Sequence, residues 1–319
     1  MTNPFSLAKN KKDAKVSFPA SKQKMETATS EEPVTIKLTD RLSARLYKDC
    51  CPHCMETAPL QKGLVLTLNG KELIEEGLGF GAPVVKYHDK TYFSSSAEIS
   101  IEKTAYACKV LKKYSLDSVS RKKFWRASYI DDSVYSSLRK TFEKPYLTQK
   151  NLSPFFNAVM ELRQIAKIKT EFQKVKNRGS ITVAYTIKPT LIEISVDFAD
   201  LSLSGCGEIL ILNEQGSTVF EKYVDESGLK LFGREIGAWD TVAADWASLV
   251  NIKEQLSFSL KKVHGATLFR GWERTRNRFS WAGLSYSLKP NEKTFNYSVR
   301  LDFFDRMSTL KTSFDCEKS

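Results

Sequence analysis

Alternating apolar and polar positions dominate the chain. VTIKL and LSARLY, from Val34 onward, and then LVLTL carry the two-residue period of a half-buried strand. Asn69-Gly70 separates LVLTL from KELIEE and predicts a tight hairpin turn. APVVKYH, TYF and AEISIEKTAYACKVL follow, with a turn expected at Asp89-Lys90. Residues 35–115 therefore read as a first β segment. From Ser180 the alternation returns in SITVAYTI, LIEISVDFADL, EILILNE, STVFEKYV, QLSFSLKKV, ATLFRGWE, RFSWAGLSYSL and FNYSVRLDFF. Lys188-Pro189, Ser204-Gly205, Gln215-Gly216, Ser227-Gly228 and Pro290-Asn291 part these strands. Residues 180–310 read as a second β segment that packs with the first. Repeated short strands without intervening helices predict a large antiparallel β-sandwich.

The period changes between the two segments. Val134, Leu138 and Phe142 recur at helical spacing, with Pro145 as a stop. Ser153 and Pro154 suit an N-cap and a first helical position. Phe155, Val159, Leu162, Ala166, Ile168, Phe172 and Val175 then form one stripe, and Gly179 suits a C-terminal cap. Residues 116–179 are thus expected to be a helical insert. Residues 1–34, rich in Lys, Ser, Thr, Ala and Glu, read as a disordered tail, and residues 311–319 as another.

Charge sharpens this division. The 319 residues carry a formal net charge of +12. Residues 103–178 hold 18 Lys and Arg against 6 Asp and Glu, and the rest of the chain holds 31 of each. The insert is therefore basic. It is a candidate footprint for nucleic acid, phosphate or an acidic partner, with Phe124, Trp125 and Tyr129 beside Arg121, Lys122, Lys123 and Arg126. A solvated lysine-rich face explains the same run. No apolar run approaches the ~20 residues of a membrane-spanning helix. MTNPFSLAKNKKDAKVSF lacks an apolar core of a signal peptide, so a soluble cytoplasmic protein is expected.

The chemistry-bearing residues point in several directions. KDCCPHCMETAP places Cys51 and Cys54 in a C-P-H-C motif beside Cys50. Redox, metal-binding and incidental readings all stand for these thiols. The motif resembles the active site of the DsbA family of thiol oxidants. Residues 55–82, however, read as a hairpin where a thioredoxin-like fold needs helices. GLGFGAP, from Gly77 to Pro83, is neither a dinucleotide fingerprint nor a Walker loop, and reads as a tight loop between strands. His53, His88 and His264 show no metal-ligand spacing, and no G-x-S-x-G elbow occurs. Neither a cofactor nor a bound metal is expected.

Four of the five Trp lie between residues 213 and 286, among Arg and carboxylates. Indole rings stack on the C–H faces of sugars while ionic groups grip hydroxyls. On that chemistry Trp239 and Trp281 are candidate stacking residues, and Arg234 and Arg270 candidate hydroxyl- or carboxylate-binding residues. Glu214 and Glu273 are the candidate acid and base. Trp residues filling the core, with Arg and Glu paired across strands, account for the same composition.

Asn69-Gly70-Lys71-Glu72-Leu73, followed by Gly81-Ala82-Pro83-Val84-Val85, resembles the opening of aldose epimerase (galactose mutarotase-like) proteins. The resemblance covers about a tenth of the chain. It implies an antiparallel supersandwich of about this length and a sugar-facing cleft. Members of that family use two His and a late Glu around the sugar ring. No two His occupy matching positions here, so the resemblance carries no epimerase catalysis. A carbohydrate-binding or carbohydrate-active β-sandwich is the leading expectation. A nucleic-acid or phosphate binder and a thiol redox protein are the alternatives.

Overall fold

A computed structural model describes residues 26–27, 33–48, 60–88, 90–103, 108–124, 128–130, 169–274, 280–291 and 293–304. Its elements are, in chain order, strands β1 (Glu26–Thr27), β2 (Val34–Lys37), β3 (Leu42–Leu46), β4 (Val65–Leu68), β5 (Lys71–Glu72), β6 (Gly79–Tyr87) and β7 (Lys90–Lys103). Next come β8 (Cys108–Phe124), β9 (Ser128–Ile130), β10 (Lys169–Lys174), β11 (Ser180–Ile187), β12 (Leu191–Asp197), β13 (Cys206–Gln215), β14 (Lys222–Asp225) and β15 (Lys230–Phe232). A 3₁₀ turn (Gly233–Ile236) leads to β16 (Ala238–Thr241), β17 (Trp246–Asn251), β18 (Leu256–Lys261), β19 (Ala266–Arg274), β20 (Ser280–Leu288) and β21 (Thr294–Phe303).

All pairings are antiparallel. One ladder runs β15–β14–β17–β18–β21–β12–β11–β8–β7–β6–β13–β20–β19–β16. Strand β8 lets this single sheet fold over on itself. Its first half pairs with β11 and its second half with β10. The inward positions then meet in one core. Ile181, Val183 and Tyr185 of β11, Ile192 and Ile194 of β12, and Tyr297 and Val299 of β21 lie against Ile209 and Ile211 of β13 and Leu284 and Tyr286 of β20. Each set falls on every second residue, the alternation that a two-layer sheet requires. A small sheet, β2–β3–β4–β5, adds Leu42, Ala44, Leu46, Leu66 and Leu68 to the same core.

Several turn signals act as expected. Asn69 and Gly70 take φ of +51° and +80° between β4 and β5, the double positive φ of a type I′ turn. The β6–β7 turn passes through His88, also at positive φ, one residue earlier than expected. GLGFGAP is a different matter. It is no loop: residues 79–83 are the start of β6, with Gly79 and Gly81 at positive φ inside the strand. A Cβ on Gly81 would lie 2.9 Å from the Tyr185 hydroxyl. The irregular backbone is held by Asn213 Oδ1, which accepts from Gly81 N–H at 3.0 Å and from Tyr297 O–H at 2.7 Å.

The helical insert is corrected. Among the described residues of 116–179, β8, β9 and β10 are strands, and the only helical turn in the described chain is 3₁₀. Phe172, placed on a helical stripe by its spacing, sits opposite Ser120 in the β8–β10 pair and stacks edge-on against Phe93 at 5.2 Å. Cross-strand pairing with β8 overrides the local period. Residues 131–168 lie outside the described residues, as do residues 1–25 of the tail expected at 1–34, the whole of the tail expected at 311–319, the thiols Cys50, Cys51 and Cys54, and His53 between them. No described helix is long and apolar enough to cross a membrane.

The basic run is also largely engaged where it is described. Lys109 pairs with Glu102, Lys113 with Asp200 and Lys123 with Glu171. Lys112 is fully buried and donates to Tyr47 O at 2.6 Å and Lys62 O at 2.7 Å.

Candidate functional site

The sheet has a second buried face, turned away from the main core. Strand alternation dictates its members. On β13, Ile209 and Ile211 enter the core, so Leu210, Leu212 and Glu214 face outward. On β20, Ala282, Leu284 and Tyr286 face inward, which turns Trp281 and Gly283 outward. On β19, Leu268 and Trp272 are inward, leaving Phe269, Gly271 and Glu273 outward. Leu60, Leu78, Ala82, Val84 and Leu212 form an apolar cluster on this face, with Phe93, Phe172, Leu210 and Trp239 packed against it.

Trp239 reaches this face through a bulge. β16 pairs Ala238 with Gly271 and Asp240 with Arg270, so Trp239 is the extra residue between them. Its φ of +69° lies in the left-handed region, which a bulky residue rarely enters and which costs about 1–3 kcal/mol. That turn lays the half-buried Trp239 ring 5.5 Å from the Trp281 ring and 6.4 Å from Phe269. Gly271 makes room, since a Cβ there would lie 2.3 Å from the Trp281 ring.

The two carboxyls adjoin these rings. Trp281 Nε1 donates to Glu273 Oε2 at 3.0 Å. Glu214 lies across the flat Gly283 of β20, where a Cβ would come 2.8 Å from its side chain. Glu214 is 6% exposed, and Leu78 N–H donates to its Oε2 at 2.9 Å. Burial pushes its carboxyl up to about 7. The Leu78 amide and Lys62 oppose that rise, and the nearby Glu273 reinforces it. Glu214 is therefore half protonated near neutrality, while Glu273 is held as an acceptor by the indole N–H.

Residues 73–78 complete the surround, and sequence reasoning missed them. KELIEE reads as a strand, yet β5 ends at Glu72. Lys62, fully buried, donates to Glu75 O at 3.0 Å and Gly77 O at 2.7 Å, which bends the segment over Glu214. The Glu75 carboxylate accepts from the Thr218 and Ser280 hydroxyls. Ser217 Oγ lies 2.6 Å from Ser280 Oγ and donates to Glu273 O at 2.8 Å. The one available signal was the excess of glutamate in KELIEEG, too polar for a strand buried on both faces.

Of the six residues proposed from sequence, four converge: Glu214, Glu273, Trp239 and Trp281. Arg270 is on the inner face of β19. Its Nε donates to Ile236 O at 2.9 Å, its guanidinium lies 5.1 Å from the centre of the Tyr223 ring, and Asp240 pairs with it at 3.5 Å. It ties the 3₁₀ turn to the sheet. Arg234 is exposed on that turn and has no side-chain partner among the described residues. No group of three or more His, Cys, Asp or Glu among the described residues is arranged to hold a metal ion.

No protein-family model and no curated protein matches the sequence. Solved structures do. An α-N-acetylgalactosaminidase from Bifidobacterium bifidum, in complex with GalNAc, matches 86% of this chain with a TM-score of 0.42 and 7% identity. The chain spans 36% of the length of that enzyme. A putative aldose 1-epimerase from Escherichia coli K12 matches 86% of this chain and 99% of its own, with a TM-score of 0.36 and 8% identity. A galactose mutarotase-like protein from Lactobacillus casei matches 86% of this chain and all of its own, with a TM-score of 0.37 and 9% identity. The chain is thus similar to aldose epimerase and galactose mutarotase-like proteins, as the motifs around Asn69 and Gly81 imply. At these identities and TM-scores neither activity nor ligand transfers, and function rests on the chain's own residues.

Proposed function

We propose that this protein binds a neutral saccharide on the outer face formed by β6, β13, β20, β19 and β16. The carrying observation is Trp239. A bulge and a left-handed backbone turn an indole onto a face that already holds Trp281 and two carboxyls. Strain of that kind persists where the surrounding structure demands a particular side-chain direction. In this reading Trp239 stacks on the sugar ring and Glu273 accepts from its hydroxyls. Glu214, neutral for part of the physiological range, donates beneath. Glu214 and Glu273 are also the pair that would move a proton in any reaction on the bound sugar, as acid and base respectively. Arg270 acts as a brace for the bulge, and Arg234 stays outside the proposal.

Calorimetric titration with neutral hexoses and N-acetylhexosamines tests the reading. Binding should survive raised salt, because the recognition is aromatic and neutral. It should be lost in Trp239→Gly, a variant that removes the ring and relieves the backbone. Absence of saccharide binding, or binding indifferent to Trp239, overturns it. The nucleic-acid reading draws no support from the described strands of the basic segment, where Lys109, Lys113 and Lys123 are paired and Lys112 is buried.

A further inference from the structure

A cleft opens where the β10–β11 connection meets the β12–β13 connection. It encloses about 750 Å³ and is lined by Tyr92, Lys176, Asn177, Arg178, Asp200 and Ser202, among others. It belongs to the other end of β13 from the aromatic face. Tyr87, beneath it, pairs with Cys206, and Glu214 is eight residues further along the strand, roughly 26 Å at 3.3 Å per residue.

Arg178 is the centre of this cleft. Its main chain is pinned on both sides: its N–H donates to Leu116 O, and its carbonyl accepts from Ser202 N–H, each at 3.0 Å. Its guanidinium lies over two buried rings, 5.2 Å from the centre of Tyr87 and 5.7 Å from that of Tyr92. Those rings meet edge-on at 5.1 Å and form a fixed floor. Nε donates to the Tyr92 hydroxyl at 3.4 Å. The exposed terminal nitrogens have no protein acceptor among the described residues, and Lys176 beside them has no carboxylate partner there. Asp200, the acid in the cleft wall, is taken by Lys113 at 2.9 Å and Ser180 at 3.3 Å. Burial, with Cys206 second, pushes Tyr87 up to about 12, so no phenolate competes for the guanidinium.

A guanidinium held over two rings and by its Nε, with its terminal nitrogens open, matches two oxygens of a tetrahedral dianion. We propose that this cleft binds a phosphate monoester. The Arg178 fork takes two phosphate oxygens, Lys176 supplies the second positive charge, and the cavity receives the organic group. Asn177 Oδ1 already accepts from Gly179 N–H at 2.8 Å, which leaves its amide N–H groups for the ligand.

Calorimetry with inorganic phosphate and glycerol 3-phosphate, using glycerol as the uncharged control, tests this. Both phosphates should bind and glycerol should not, and the affinity should fall as salt rises. Arg178→Ala should weaken binding about tenfold or more, and Arg178→Lys should fail to restore it because the fork is lost. Lys176→Ala, at an exposed position, should weaken it several-fold without touching the fold. Glu214→Gln should leave phosphate binding unchanged, which separates this site from the saccharide face. No phosphate binding, or binding indifferent to both Arg178→Ala and Lys176→Ala, overturns the proposal.

Discussion

Replacing Glu214 by Gln should abolish a specific pH dependence of stability. Glu214 is buried against Gly77, Leu78 and Gly283, and burial raises its carboxyl from 4.5 to about 7. Between those values the folded protein keeps a proton that the unfolded chain releases. Stability must therefore fall as pH rises through this window, and stay flat with respect to this group below 4.5 and above about 7. At about 1.4 kcal/mol per pH unit, the loss attributable to Glu214 is about 3 kcal/mol. Glutamine keeps an oxygen for the Leu78 N–H but carries no charge at any pH. The stability of Glu214→Gln relative to the natural protein should thus rise by about 3 kcal/mol between pH 4.5 and 8. Urea denaturation of both proteins at half-unit pH steps measures it, and thermal melts should show the same trend as a few degrees. A stability difference that stays constant across the window would refute the claim that Glu214 is a desolvated carboxyl.

Other consequences follow from neighbouring contacts. Gly271→Ala should destabilise by about 1–3 kcal/mol and shift tryptophan fluorescence, because a Cβ there enters the Trp281 ring. Trp239→Gly should lose saccharide. The gain of about 1–3 kcal/mol from releasing the left-handed backbone should be outweighed by the lost packing of the half-buried indole against Trp281 and Phe269, so a denaturation curve should show a net loss of stability. Arg270→Met should cost about 2 kcal/mol in a denaturation curve, since Ile236 O loses its charged donor and Asp240 its partner. Saccharide affinity in that variant should change only as far as the bulge loosens.

The sheet was legible because its faces alternate strictly. In SITVAYTI and FNYSVRLDFF every second residue enters the core, and no competing period exists. The region around Trp281 was harder. RFSWAGLSY mixes apolar residues at both parities because both faces of β20 are buried, Trp281 on one and Leu284 and Tyr286 on the other. The error at Phe172 has a related cause. Its spacing from Ile168 and Val175 fits a helix, but the partner that decides its conformation is Ser120, far away in sequence. Composition placed four of the six proposed residues together, yet it cannot separate Arg270 from Glu273, three residues apart on opposite faces of one strand. Lys62 and Glu75 were invisible as site residues, because only the fold brings them to strands β13 and β20.

Indole N–H signals of the ¹⁵N-tryptophan-labelled protein test the central claim most directly. Titration with a saccharide that binds should move the signals of Trp239 and Trp281, assigned through Trp239→Gly and Trp281→Phe. Those of Trp246 and Trp272, whose indole donates to Ser217 O within the structure, should stay in place. A saccharide that binds while the Trp239 and Trp281 signals remain fixed would contradict the account.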